Sequence, residues 1–116
     1  MAAALAPQLD SVFGALADPT RRAIIERLLA SGELSVGDVA APFAISAQAI
    51  SRHLQVLQRA GLIERRIERQ WRFVRVRADA LEPAESWITR HKLHWTTALD
   101  RLEALAAAQT PKRKKS

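Results

Sequence analysis

The chain has 116 residues, 48% of them hydrophobic and 26% charged, enough for one small domain with a core and too little for a second. It holds no cysteine, which excludes a disulfide scaffold, a thiolate metal site and a cysteine nucleophile. Eighteen basic against twelve acidic residues leave a formal charge of +6, and apolar runs of only a few residues exclude a membrane-spanning helix.

Leu9, Val12, Phe13 and Leu16 recur at helical spacing and predict a short amphipathic helix over 8–17. Asp18-Pro19 reads as a helix start, because the carboxylate can accept from orphan backbone donors and proline suits the first position. The helix it opens carries Ile24, Ile25, Leu28 and Leu29 on one stripe up to Ser31-Gly32. Ser35 and Asp38 have capping-box spacing and predict a short helix, with Val36, Val39 and Ala40 inward, that Pro42 ends. Phe43-Ala44-Ile45 leads into a helix over 46–60, capped by Ser46 and stopped by Gly61. Two helices joined so closely, the second well capped, make a helix-turn-helix.

After Gly61 the pattern changes to β-branched and aromatic residues. Residues 62–67 and 71–76, separated by Glu68-Arg69-Gln70, predict a β-hairpin with a basic tip. Trp71 and Phe73 are expected to cover its apolar side. A long helix follows from Asp79 or Pro83 to about Ala107, with Ala84, Ile88, Trp95, Leu99, Leu102 and Ala106 on one stripe widened by Trp87, Ala98 and Leu105. Residues 1–107 are expected to form the single domain, and 108–116 a disordered basic tail. The start, MAAALAPQLD, lacks the basic residues and continuous apolar stretch of a secretory signal, so the cytoplasm is the expected compartment.

The positive charge is concentrated. Net charge is −2 over residues 1–45, +6 over 46–77, −2 over 78–111 and +4 over 112–116. Such a block points to phosphate or an anionic membrane surface. On the helix 46–60, Ile50, Leu54 and Leu57 share the core side, while Gln48, Ser51, Arg52, Gln55 and Arg59 share the outer one. That outer face has no acidic residue, and its amides and guanidiniums are the groups that pair with adenine and guanine edges in the major groove. His53 lies between the two faces, as a packing residue or a phosphate contact. On the hairpin, Arg69 and Gln70 at the tip, with Arg66 and Arg72 beside it, are placed to reach a flanking phosphate or minor groove. With no cysteine or tyrosine, no glycine-rich phosphate loop and no paired carboxylates with a histidine, no enzyme active site is expected. A winged protein-interaction module is the competing class, and salt-dependent DNA affinity separates the two.

The runs ALADPTRRAIIERL, ELSVGDVA and ISAQAISRHLQVLQRAGLIERR closely resemble the ArsR/SmtB-type, or arsenic-repressor, transcription regulators. The resemblance covers about residues 9–106 and is most specific over 46–63. It implies a mainly helical winged helix-turn-helix with a β-hairpin wing, acting as a homodimeric repressor on double-stranded DNA. Each subunit would insert one recognition helix into a half-site of an inverted repeat. The resemblance places Gln48, Ser51, Arg52 and His53 at DNA, with Arg69 and Gln70 at the wing tip. The first and last helices would form the dimer interface, through Leu9, Val12, Phe13, Ile88, Trp95, Leu99 and Leu102.

The stretch with Trp87, Trp95 and Leu99-Asp-Arg-Leu102 resembles a metal-independent branch of the family, and where the metal sensors have a cysteine pair this chain has Ser35 and Gly37, so the soft-metal site is absent. His91 and His94, one turn apart, are the alternative zinc ligands. The partnering Asp-x-His is missing at Asp79-Ala80-Leu81, so both histidines are expected to pack at a helix interface. No cofactor and no metal is expected, and the effector is left open.

Overall fold

The first helix, α1 (Ala2–Leu16), begins before the predicted residue 8. Proline disfavours a helix interior, but alanine is the strongest helix former and the helix runs through residue 7. A computed structural model describes residues 2–109, with side chains from residue 8 onward. The expected basic tail from 110 lies outside the described residues, and residues 108 and 109 belong to the last helix.

Side-chain caps start the next helices where the sequence puts them. Asp18 accepts the Arg21 backbone N–H at 3.0 Å and opens α2 (Pro19–Ser31), which Gly32 closes at φ 86°. Ser35 Oγ accepts the Asp38 N–H at 3.1 Å and opens α3 (Val36–Ala40). Ser46 Oγ accepts the Ala49 N–H at 3.1 Å and opens α4 (Ala47–Arg59). At the end of α4 the Leu62 N–H returns to the Leu57 carbonyl and the Gly61 N–H to the Gln58 carbonyl, both at 3.0 Å. This paired closure requires a left-handed residue between, and Gly61 has φ 78°.

Two strands, β2 (Ile63–Glu68) and β3 (Trp71–Val76), form the predicted hairpin. A third, β1 (Glu33–Ser35), was not predicted. It pairs antiparallel with β3, giving the order β1-β3-β2. Glu68 pairs with Trp71, so the loop is only Arg69-Gln70. Arg69 has φ 59°, alone among the described non-glycine residues in being positive. A positive φ at the first loop residue alone is the type II′ pattern, in which glycine is usual.

These two turns give opposite expectations. Gly61→Ala should destabilise by about 1 kcal/mol through backbone strain alone, since a Cβ there meets nothing nearer than the Arg77 Nη1 at 3.9 Å. Arg69→Gly should raise the urea midpoint while weakening DNA binding. A lowered midpoint for Arg69→Gly would show that the arginine stabilises its own turn.

The chain divides into two compact units, Met1–Ala84 and Glu85–Ser116. In the first, α1, α2 and α4 pack on one another, and α2 and α4 pack on the sheet. Val12 and Ala15, Ile24 and Leu28, Val39, Ile50, Leu54 and Leu57, Leu62, Ile63 and Val74 close the core, and Ala80 and Ala84 complete it. Val12 is fully buried there, so it does not belong to a surface that a second copy could cover; the same amphipathic pattern serves its own core. The second unit continues α5 (Glu82–Gln109). Its large apolar side chains are exposed: Trp87, Ile88, Leu93, Trp95, Leu99, Leu102 and Leu105.

Candidate nucleic-acid interface

α4 presents two chemically distinct sides. Ile50, Leu54 and Leu57 are buried, and Gln48, Ser51, Arg52, Gln55 and Arg59 are exposed. No acidic residue occurs anywhere in this helix. Burial of Ile50, Leu54 and Leu57 fixes its rotation, so the amides and guanidiniums are held outward. His53 is half-buried at the edge, with Nδ1 3.3 Å from the Arg21 Nη1 and 4.0 Å from the Asp18 Oδ2. Arg21, Ala49, Arg52, His53 and Val56 line a notch of about 260 Å³ beside the outer face.

The sheet sorts the wing arginines. Ile63, Arg65, Val74 and Val76 lie on the side that meets the core, with Ile67 and Arg72 continuing it past the core's edge. Trp71 and Phe73 sit on the other side, with Glu64, Arg66 and Arg75. They do not cover the apolar face, as the sequence suggested. The valines do, and Trp71 is 56% exposed.

Arg66 is committed within the sheet. It donates to Glu33 on β1 through Nε at 3.2 Å and Nη2 at 2.8 Å, and to Glu68 through Nη1 at 2.8 Å. Its guanidinium also lies 4.7 Å from the centre of the Phe73 ring. The Arg66 bond holds the Glu33 carboxyl below its usual range, and the two carboxylates hold Arg66 above its own. This contribution of Glu33 to stability is complete above the ordinary carboxylate range and is lost as pH falls from there through the lowered folded value. Arg75 donates to Glu64 at 2.7 Å and Arg77 to Asp79 at 3.3 Å. Arg65 is half-buried, and its Nε and Nη2 have no hydrogen-bond partner among the described residues.

Of the eight arginines in 46–77, four thus remain exposed and outside any ion pair among the described residues: Arg52, Arg59, Arg69 and Arg72. Two lie on α4 and two at the wing tip, together with Gln70. Sequence reasoning had placed Arg66 with the DNA contacts. One of the two carboxylates that hold it, Glu33, stands 33 positions away and could not be foreseen from local pattern.

The candidate interface residues on α5 are exposed, Ile88 and Leu99 partly and Trp95 and Leu102 more so. On α1, Phe13 is 38% exposed, whereas Leu9 is partly buried against the core. His91 stacks on Trp87 with ring centres 4.0 Å apart, and its Nδ1 donates to the Trp87 carbonyl at 2.8 Å. Ser35 Oγ is engaged as a helix cap and Gly37 has no side chain, so neither supplies a soft-metal ligand. Among the described residues, no three His, Cys, Asp or Glu side chains converge as metal ligands. No described helix is long and apolar enough to cross a membrane.

A helix-turn-helix whose second helix projects a polar face beside a β-hairpin defines a winged helix-turn-helix. A helix-turn-helix domain model matches residues 16–66. The transcriptional repressor SdpR of Bacillus subtilis is 35% identical over 80 residues, covering 69% of this chain and 88% of that protein. An ArsR-like transcriptional regulator from Rhodococcus sp. RHA1 superposes with a TM-score of 0.75 at 29% identity, over 89% of this chain and 96% of the other. The homodimeric winged helix-turn-helix DNA-binding domain of a Mycobacterium bovis protein gives 0.62 at 30% identity, over 78% and 84%. The chain belongs to the ArsR family of winged helix-turn-helix transcriptional regulators.

Proposed function

We propose that the chain is a sequence-specific DNA-binding repressor that acts as a homodimer and has no catalytic activity of its own. The observation that carries this reading is the acid-free outer face of α4 beside a wing tip with two uncommitted arginines. Gln48, Ser51, Arg52 and Gln55 read base edges in the major groove. Arg69, Gln70 and Arg72 hold the flanking backbone or minor groove. Arg66 is left out of the contact set, because its charge is already met by Glu33 and Glu68.

Dimerisation buries Ile88, Trp95, Leu99 and Leu102 of α5 against a second copy, and family resemblance adds Phe13 and Leu9. Two-fold symmetry then spaces the recognition helices by about 34–36 Å, one turn of DNA, and calls for an inverted repeat. The helical domain serves DNA binding and dimerisation together, and the basic residues 112–115 add phosphate attraction without sequence preference. Footprinting on the DNA upstream of the chain's own coding sequence tests the reading. A protected inverted repeat supports it, and salt-insensitive or absent binding overturns it.

DNA binding should not respond to zinc. Two histidines leave a four-coordinate site half empty, although two subunits could together supply four nitrogens. Zinc titrated into a DNA-binding assay should leave affinity unchanged. Release at submicromolar free zinc, abolished by His91→Ala, would show that these histidines bind metal across the dimer.

A further inference from the structure

The Arg21 guanidinium joins three helices. Its Nε donates to the Ala15 carbonyl at 2.7 Å and its Nη2 to the Gly14 carbonyl at 3.2 Å, both in the last turn of α1. Carbonyls there lack partners within their helix, and a cation suits that end of the helix dipole. Its Nη1 reaches Nδ1 of His53 on α4 at 3.3 Å. A guanidinium carries donors only and keeps its proton in proteins, so Nδ1 is the acceptor. In the neutral ring the proton must then sit on Nε2.

The charged groups around this ring are few. Asp18, at the α2 N-cap, lies 4.0 Å from Nδ1, and the Arg21 backbone N–H holds its carboxyl below the usual range, so it stays ionised. Arg21 approaches from α2, and Arg52 lies on the histidine's own helix in the same notch. Asp10 of α1 lines the neighbouring recess with Arg21 and Arg59. The notch itself is lined by two arginines, the histidine and two small apolar residues, and opens beside the outer face of α4. A phosphate oxygen offers only acceptors, so a donor on the ring is required there at every pH.

We infer that Arg21 is a positioning residue for DNA binding, which by occupying Nδ1 of His53 presents Nε2–H as a neutral donor to one backbone phosphate seated in the notch with Arg52. This rests on the DNA-binding reading above. Without Arg21 the nearest acceptor is Asp18, which draws the proton to Nδ1 and turns a lone pair on Nε2 toward the phosphate. The contact then survives only when the ring is doubly protonated.

The test compares pH profiles of the full-length chain on a mixed-sequence duplex of about three helical turns, since a phosphate contact needs no particular sequence. Between about pH 5.5 and 8, where imidazoles change charge, wild-type affinity should vary less than about twofold. Arg21→Met should bind about tenfold more weakly at the high end than at the low end. Arg21→Lys, which still offers a donor, should restore the flat profile. Adding His53→Gln to Arg21→Met should remove the slope, which excludes His91 and His94 as its source. A loss that is equal at every pH would reduce Arg21 to a structural cap and overturn the inference. Nitrogen-15 NMR of the free protein reads the tautomer directly: Nε2–H in the wild type, shifting toward Nδ1–H in Arg21→Met. An unchanged tautomer with intact DNA binding overturns the inference alone, whereas a wild type that binds no duplex overturns the DNA reading and this inference with it.

Discussion

Leu99→Glu combined with Leu102→Glu should turn the chain into a monomer by sedimentation at micromolar concentration. From Glu85 on, every described side chain of α5 is exposed, including two tryptophans and four leucines. Hydrophobic burial stabilises by about 1.5–3 kcal/mol per large side chain, so such a helix left in water forfeits a large favourable term that a second copy supplies. Two carboxylates at the centre of a symmetric interface meet their own copies, and desolvating like charges reverses the sign of the interaction. Affinity for an inverted repeat should fall by about 10²–10⁴, because binding at the second half-site ceases to be intramolecular. Helical circular dichroism should be retained. A double variant that stays dimeric, or a monomer with full affinity, would remove α5 from the interface.

The parts of this fold legible in the sequence are those decided within one helical turn or one hairpin. Asp18, Ser35 and Ser46 cap where their spacing to the first turn says they should, and Gly61 closes α4 as a stop. The hydrophobic stripe of α4 assigns its outer face correctly because three large residues leave little freedom of rotation. What was not legible depends on distant pairing. β1 is three residues long and shows no usable period; its existence is set by the free edge of β3. Arg66 looks like any basic wing residue until β1 brings Glu33 beside it. His53 was ambiguous for the same reason, since Arg21 lies 32 positions earlier. Trp71 and Phe73 were assigned by residue type, whereas the alternation anchored by Val74 and Val76 decides the face. Val12 carried a dimer assignment that its own protomer's core already claims.

Arg52→Ala should lose about 1–3 kcal/mol at each half-site if the guanidinium pairs bidentately with a base, and should relax the sequence preference at one position of the operator. Arg52 is exposed and outside any ion pair among the described residues, so its removal leaves no buried charge behind and the fold should be unaffected. Arg69→Gln should act differently. A wing-tip cation on phosphate contributes equally to every sequence, so affinity should fall uniformly, and the slope of log affinity against log salt should shrink by about 2 per dimer. Arg75→Gln supplies the contrast, because that guanidinium is already satisfied by Glu64 at 2.7 Å and should leave the slope unchanged. The two slopes together test whether the sheet separates DNA-facing arginines from those already paired within the protein. If all eight arginines in 46–77 faced DNA, Arg75→Gln would flatten the slope as much as Arg69→Gln, and the sorting of cations by the sheet would be wrong. If Arg52→Ala weakened all sequences alike with no change in preference, the contact would be to backbone, and base reading would rest on Gln48, Ser51 and Gln55.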